Sequence, residues 1–139
     1  MMKNTNVKNA LLGMALSLVA TYLFPVVLFT ILDWPGGFRV IWTVLPWWGL
    51  FYSSWLVIPL GVALGLLIPQ VARGKSRWSA ALHGAGLGAV AGLVSVFCFT
   101  SVYGFRGDTS ILWLSVMAYS ALWVGGYAFY RAKGQSPYR

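Results

Sequence analysis

The chain has 139 residues, of which 59% are apolar, 17% aromatic and only 9% charged, and its mean hydropathy is +0.75. Soluble domains carry about 25% charged residues, so too little charge is present to cover a water-facing surface, and an ordinary soluble globule, a disordered chain and a coiled coil are excluded. The single cysteine, Cys98, excludes an internal disulfide framework and a zinc site built on several thiolates, and the net charge of +8 has to be read by position.

A spanning helix needs about 20 mainly apolar residues to cross a hydrocarbon core of about 30 Å. Four stretches between charges meet that length, and each is expected as a helix because an open strand leaves backbone groups unpaired in lipid. The first runs from about Ala10 to Leu32 and contains Pro25. It follows Lys3 and Lys8 as a signal peptide would, but it is longer than a signal core and ends without a small-x-small cleavage site, so a retained helix is expected. The second stretch, between Arg39 and Arg73, exceeds one crossing. Pro46 has no amide hydrogen to donate and disfavours helical geometry at Leu45. The stretch therefore divides into an interfacial approach over about Val40 to Trp48 and a spanning helix over about Gly49 to Val71. The approach and the start of the helix hold Trp42, Trp47, Trp48, Phe51, Tyr52 and Trp55, side chains that favour the headgroup level. The third and fourth helices are expected over about Ser79 to Tyr103 and Ser110 to Tyr130.

Position gives the charges their meaning. Lys3 and Lys8 precede the first helix, Arg73, Lys75 and Arg77 lie between the second and third, and Arg131, Lys133 and Arg139 follow the fourth. On the other side Arg39 and Arg106 are offset by Asp33 and Asp108. Orientation follows Lys and Arg in short loops, so both termini are expected in the cytoplasm. The basic excess then reads as an orientation and lipid-headgroup signal rather than a nucleic-acid surface. The two outer turns share Gly-Phe-Arg at 37–39 and 104–106, a hint of a duplicated hairpin, but few further matches accompany it and coincidence is expected, while Arg106-Gly107-Asp108 reads as turn chemistry.

Small residues recur at spacing four. Helix three carries Gly84, Gly88 and Gly92, helix two Gly61 and Gly65, and helix four Ala121 and Gly125. Lipid tails are as apolar as leucine, so helices associate through close packing at such faces. The pattern places helix three at the centre of the bundle, with helix two and helix four each offering it a matching face, and with part of the face open to another subunit as the sharper reading. Tyr119, Tyr127 and Tyr130 are expected to reach the interface or to pack on these glycines.

Chemistry inside a membrane is usually marked by buried ionisable groups. Asp33 and Asp108 fall at helix ends near Arg39 and Arg106, and Asp108, Thr109 and Ser110 all suit an N-cap. The chain has no glutamate, which sets it apart from the small multidrug exporters built around one in their first helix. His83 is alone and is expected to hydrogen-bond a hydroxyl or carbonyl near the inner surface; Cys98 stands in apolar company without a base. Ser53 and Ser54 suit donors between helices. No catalytic, cofactor or metal residue is expected.

The sequence therefore predicts an all-α, single-domain, multi-pass bundle of four transmembrane helices in a bacterial inner membrane. The leading expectation is a non-enzymatic protein that docks onto another membrane component, as an accessory subunit or an immunity-type inhibitor. Its interface would be the aromatic segment, and its partners membrane lipids and a membrane protein or a second copy. The alternative is a homo-oligomeric channel or carrier for a small neutral or lipid-like solute.

Overall fold

Each of the four apolar stretches forms a helix: α1 (Met2–Leu32), α2 (Leu45–Ala72), α3 (Arg77–Tyr103) and α4 (Ser110–Ala132). The structure is a computed structural model and describes residues 2–32, 45–104 and 109–132. All four helices are long and apolar enough to cross a membrane, as a multi-pass membrane protein requires. Among the described residues no strand occurs.

The helix ends follow from local chemistry. The α2 helix begins at Leu45, so Pro46, Trp47 and Trp48 belong to its first turn and the expected break at Pro46 is absent. A first-turn amide has no partner inside its helix, so a proline there sacrifices nothing, and its fixed φ suits the helix. Residues 40–44 of the expected approach segment lie outside the described residues. Ser76 caps α3, its hydroxyl accepting from the Ser79 amide at 3.3 Å, and Gly104 ends that helix in the left-handed region at φ 64°. At α4 the Thr109 carbonyl accepts the first helical bond, from the Trp113 amide at 3.0 Å, which makes Thr109 the N-cap. Pro25, Pro59 and Pro69 sit inside continuous helices.

Packing is inside-out relative to a soluble protein. Apart from glycines at the helix contacts, the buried set is small: Val26, Ile68, Ala72, Ala80, Val96, Ala128 and Ala132, with no buried charged or polar residue among the described ones. Large apolar side chains such as Trp78, Leu82 and Leu122 point outward instead. Where solvent and core are equally apolar, outward Leu and Trp cost nothing and small residues bring backbones together.

The close approaches form two antiparallel hairpins, α1 with α2 and α3 with α4. Gly13 of α1 lies against the backbone of Gly61 and Gly65, and Gly65 also meets the Asn9 carbonyl. In the other pair, Gly84 faces Val124, Gly125 and Ala128; Gly88 faces Ser120; Gly92 faces Met117. The glycines of α2 and α3 therefore do not face each other as their common spacing suggests. Each set serves its own hairpin, and α3 is a partner of α4 rather than the hub of the bundle. Ala72, Ala80 and Ala132 then join α2, α3 and α4 at the end of the molecule that carries Arg73, Lys75, Arg77 and Arg131, here called the basic rim.

Candidate functional site

Beyond that alanine cluster the hairpins touch sparingly, and an apolar cleft of about 1070 Å³ lies between them, partly open at one side. All four helices line it. Leu16, Ala20 and Phe24 come from α1, and Leu56, Leu60 and Ile68 from α2. The second hairpin adds Ser95, Val96 and Phe99 from α3, then Val116, Tyr119, Trp123 and Tyr127 from α4. Along α4 the lining extends from Leu112 to Tyr130, about 27 Å at 1.5 Å per residue. The cleft is thus a slot nearly as long as the hydrocarbon core is thick. Among the described residues no Asp, Glu, Lys, Arg, His or Cys lines it, and those that do offer apolar enclosure and a few hydroxyls.

Three long polar side chains tie the hairpins across this slot. Tyr119 donates its hydroxyl to the Ala20 carbonyl at 2.6 Å, joining α4 to α1 near mid-depth. Tyr103 donates to the Tyr52 carbonyl at 2.9 Å, joining α3 to α2 at the rim away from the basic one. At the basic rim Arg131 donates to Asn9 Oδ1 at 2.8 Å, again joining α4 to α1. Aromatic edges reinforce the same seams, with Phe24 on Tyr119 at 5.1 Å and Tyr52 on Tyr103 at 5.6 Å between ring centroids. Backbone contact between α1 and α4 is slight, and their gap is bridged by the reach of Tyr119 and Arg131.

Smaller hydroxyls do not join helices. Ser53 donates to the Gly49 carbonyl at 2.5 Å and Ser54 to that of Phe51 at 3.1 Å, both within α2. The expected interhelical role of these serines is therefore not realised: a short side chain on a helix finds its own i−4 carbonyl first. Thr21, Ser95 and Ser101 do the same, at 2.8, 2.7 and 2.7 Å.

The aromatic segment separates into two roles. Trp47, Phe51 and Trp55, four residues apart, form an exposed stripe down α2, at 62%, 74% and 47% exposure. Trp47 also meets Tyr22 edge-on at 5.4 Å. Tyr52 turns toward Tyr103 and the cleft. Trp42 lies outside the described residues, as does the side chain of Trp48. The tyrosines of α4 avoid the glycine faces: Tyr119 crosses to α1, Tyr127 lines the cleft, and Tyr130 is largely exposed. His83 Nδ1 lies 2.7 Å from the Ser79 carbonyl, one turn earlier on α3, and Cys98 is half-buried. Among the described residues no three metal-ligating side chains converge.

Sequence reading had passed over Asn9, Gly13, Tyr103 and the reach of Arg131. One signal was available, since Asn9, Gly13, Ser17 and Thr21 form a period-four stripe of small or polar residues on α1. For Tyr103, a tyrosine at a helix end, no pattern marks its partner in advance. No family model matches the chain, and neither does any curated protein or solved structure.

Proposed function

We propose that this chain is an integral membrane protein that takes a lipid-like molecule into the cleft between its two hairpins, as a carrier or binding protein for that molecule. The slot itself carries the reading: about 1070 Å³ of apolar space between two hairpins that are each closely packed through glycine and other small residues. Ligand sites typically enclose about 300–1,000 Å³ with an apolar lining and a few placed polar groups. The slot runs about 27 Å along α4 with an apolar lining, a length and a surface that suit an extended hydrocarbon chain. The slot belongs to one chain, so the reading requires no subunit interface. With basic residues at one rim, the orientation that fits is both termini inside, in a bacterial inner membrane.

A second reading rests on a different observation. The stripe of Trp47, Phe51 and Trp55 is the kind of surface that docks another membrane protein, since aromatic side chains supply much contact area at low entropic cost.

One experiment separates the two. The protein is purified in mild detergent and released from micelles in a mass spectrometer, and its retained lipid is counted. Wild type is expected to keep a bound lipid, and Leu60→Trp or Val116→Trp, which fill the slot, to lose most of it. Trp47→Ala with Trp55→Ala is expected to keep the lipid. Bare wild-type protein, or slot-filled variants with an unchanged lipid complement, overturns the cleft reading. A protein partner lost only from the Trp47→Ala, Trp55→Ala variant favours docking.

A further inference from the structure

Hydrocarbon gains almost nothing by moving from the bilayer into an equally apolar slot. If one lipid is to be held in preference to its neighbours, the selecting contacts must be polar, and they must lie where the slot meets a rim. The basic rim provides them. Arg131 donates to Asn9 Oδ1 at 2.8 Å, which fixes the guanidinium between α4 and α1, just beyond the end of the lining. That bond uses one of five N–H donors. The guanidinium also stands 6.0 Å from the centroid of the Tyr127 ring. The hydroxyl of Tyr127 is buried and has no hydrogen-bond partner.

Charge decides what belongs there. The chain has two acidic residues, Asp33 and Asp108, and both flank the ends of α1 and α4 farthest from Arg131. Asn9 is neutral, so no carboxylate among the described residues balances Arg131. The planar fork of an arginine matches the two free oxygens of a phosphodiester better than a lysine ammonium does.

From the cleft reading above and this geometry, we propose that the ligand is an anionic phospholipid of the adjoining leaflet. A hydrocarbon chain occupies the slot, and the phosphate sits on the remaining donors of Arg131 at its basic end. Asn9 acts as a positioning residue that holds the guanidinium at the mouth.

The test uses the full chain in nanodiscs of phosphatidylcholine doped with phosphatidylglycerol, with bound lipid counted by mass spectrometry after release. Wild type is expected to retain phosphatidylglycerol over phosphatidylcholine by roughly tenfold, because both present a phosphodiester to Arg131 but choline also brings a cation beside the guanidinium, a like-charge cost. Arg131→Gln is expected to erase that preference while still retaining a lipid, and Arg131→Lys, which keeps the charge, to preserve part of it. Arg73→Gln, an exposed charge at the same rim, is expected to change nothing. An unaltered preference in Arg131→Gln overturns the headgroup assignment. An equal loss in Arg73→Gln does so too, by reducing the effect to general surface attraction. Displacement of the lipid by millimolar inorganic phosphate identifies a free-anion site and likewise overturns it. A wild-type protein that retains no lipid of either kind defeats the underlying cleft reading instead.

Discussion

Tyr119 spans a gap that no shorter side chain closes. Its hydroxyl reaches the Ala20 carbonyl at 2.6 Å, while its ring meets Phe24 and Trp123, so one residue supplies both a polar tie and an apolar wall of the slot. A neutral phenol can do this at mid-depth where a carboxylate or an ammonium would demand solvation. Hydrogen bonds between membrane helices average about 0.6 kcal/mol and reach about 1.7. Tyr119→Phe, which keeps the ring, is therefore expected to lower stability by about 0.6–1.7 kcal/mol in reversible unfolding from mixed micelles. Ser53→Ala breaks only a bond within α2 and is expected to change stability by less than about 0.5 kcal/mol. Equal effects would mean that the tie across the slot contributes nothing special. This contrast also marks a limit of sequence reading at the residue scale. Ser53 and Tyr119 are both hydroxyls within apolar runs, and only side-chain length, measured against a separation the sequence does not contain, tells which one crosses.

At the scale of elements, the period of four was legible on α2, α3 and α4, and so was the match of α3 to α4, but the partner of the α2 glycines was not. A glycine has no side chain with which to specify what faces it, so identical stripes on two helices suggest a match to each other. The structure assigns them instead to α1 and α4, which offer Asn9, Gly13 and Ser17 in one case and Ser120, Val124 and Ala128 in the other. Turn length does not decide: the shortest link, 73–76, joins α2 to α3, whose contact is slight, so the pairs are set by which small faces fit each other. The consequence is a sharp difference between glycines on a single helix. A Cβ at Gly88 would run into the Ser120 carbonyl, whereas one at Gly86 meets nothing within 4 Å. Gly88→Ala is expected to push α3 and α4 apart at a cost of about 1–3 kcal/mol. Gly86→Ala faces open space and is expected to stabilise the helix by up to about 1 kcal/mol. Thermal denaturation of the two variants in the same detergent checks the sign of each, and a shared sign would show that α3 does not present its Gly84, Gly88 and Gly92 face to α4.

For the whole molecule, four spans were readable because the bilayer fixes a length, and a run of apolar residues either meets it or does not. The slot was not readable, because it belongs to none of the helices separately: Leu60, Val96 and Val116 are ordinary apolar residues until two hairpins stand slightly apart. That architecture makes a claim about how the protein is put together. Within each hairpin the backbones touch through glycine, and between hairpins the ties are chiefly the alanine cluster, Tyr119, Tyr103 and Arg131. The second hairpin also begins with its own basic residues, Lys75 and Arg77, and so carries an orientation signal independent of the first. Cutting the chain after Gly74, in the turn between α2 and α3, severs no helix. Residues 1–74 and 75–139, produced as separate chains in one cell, are therefore expected to insert, to find each other and to co-purify through a tag on either. Tyr103→Phe and Tyr119→Phe together remove two of the ties without disturbing either glycine seam. They are expected to reduce recovery of the untagged half several-fold, while each half keeps its helicity by circular dichroism. Halves that do not insert separately, or that co-purify equally well with both tyrosines replaced, would mean that the four helices form one continuous packing unit and that the slot does not divide two.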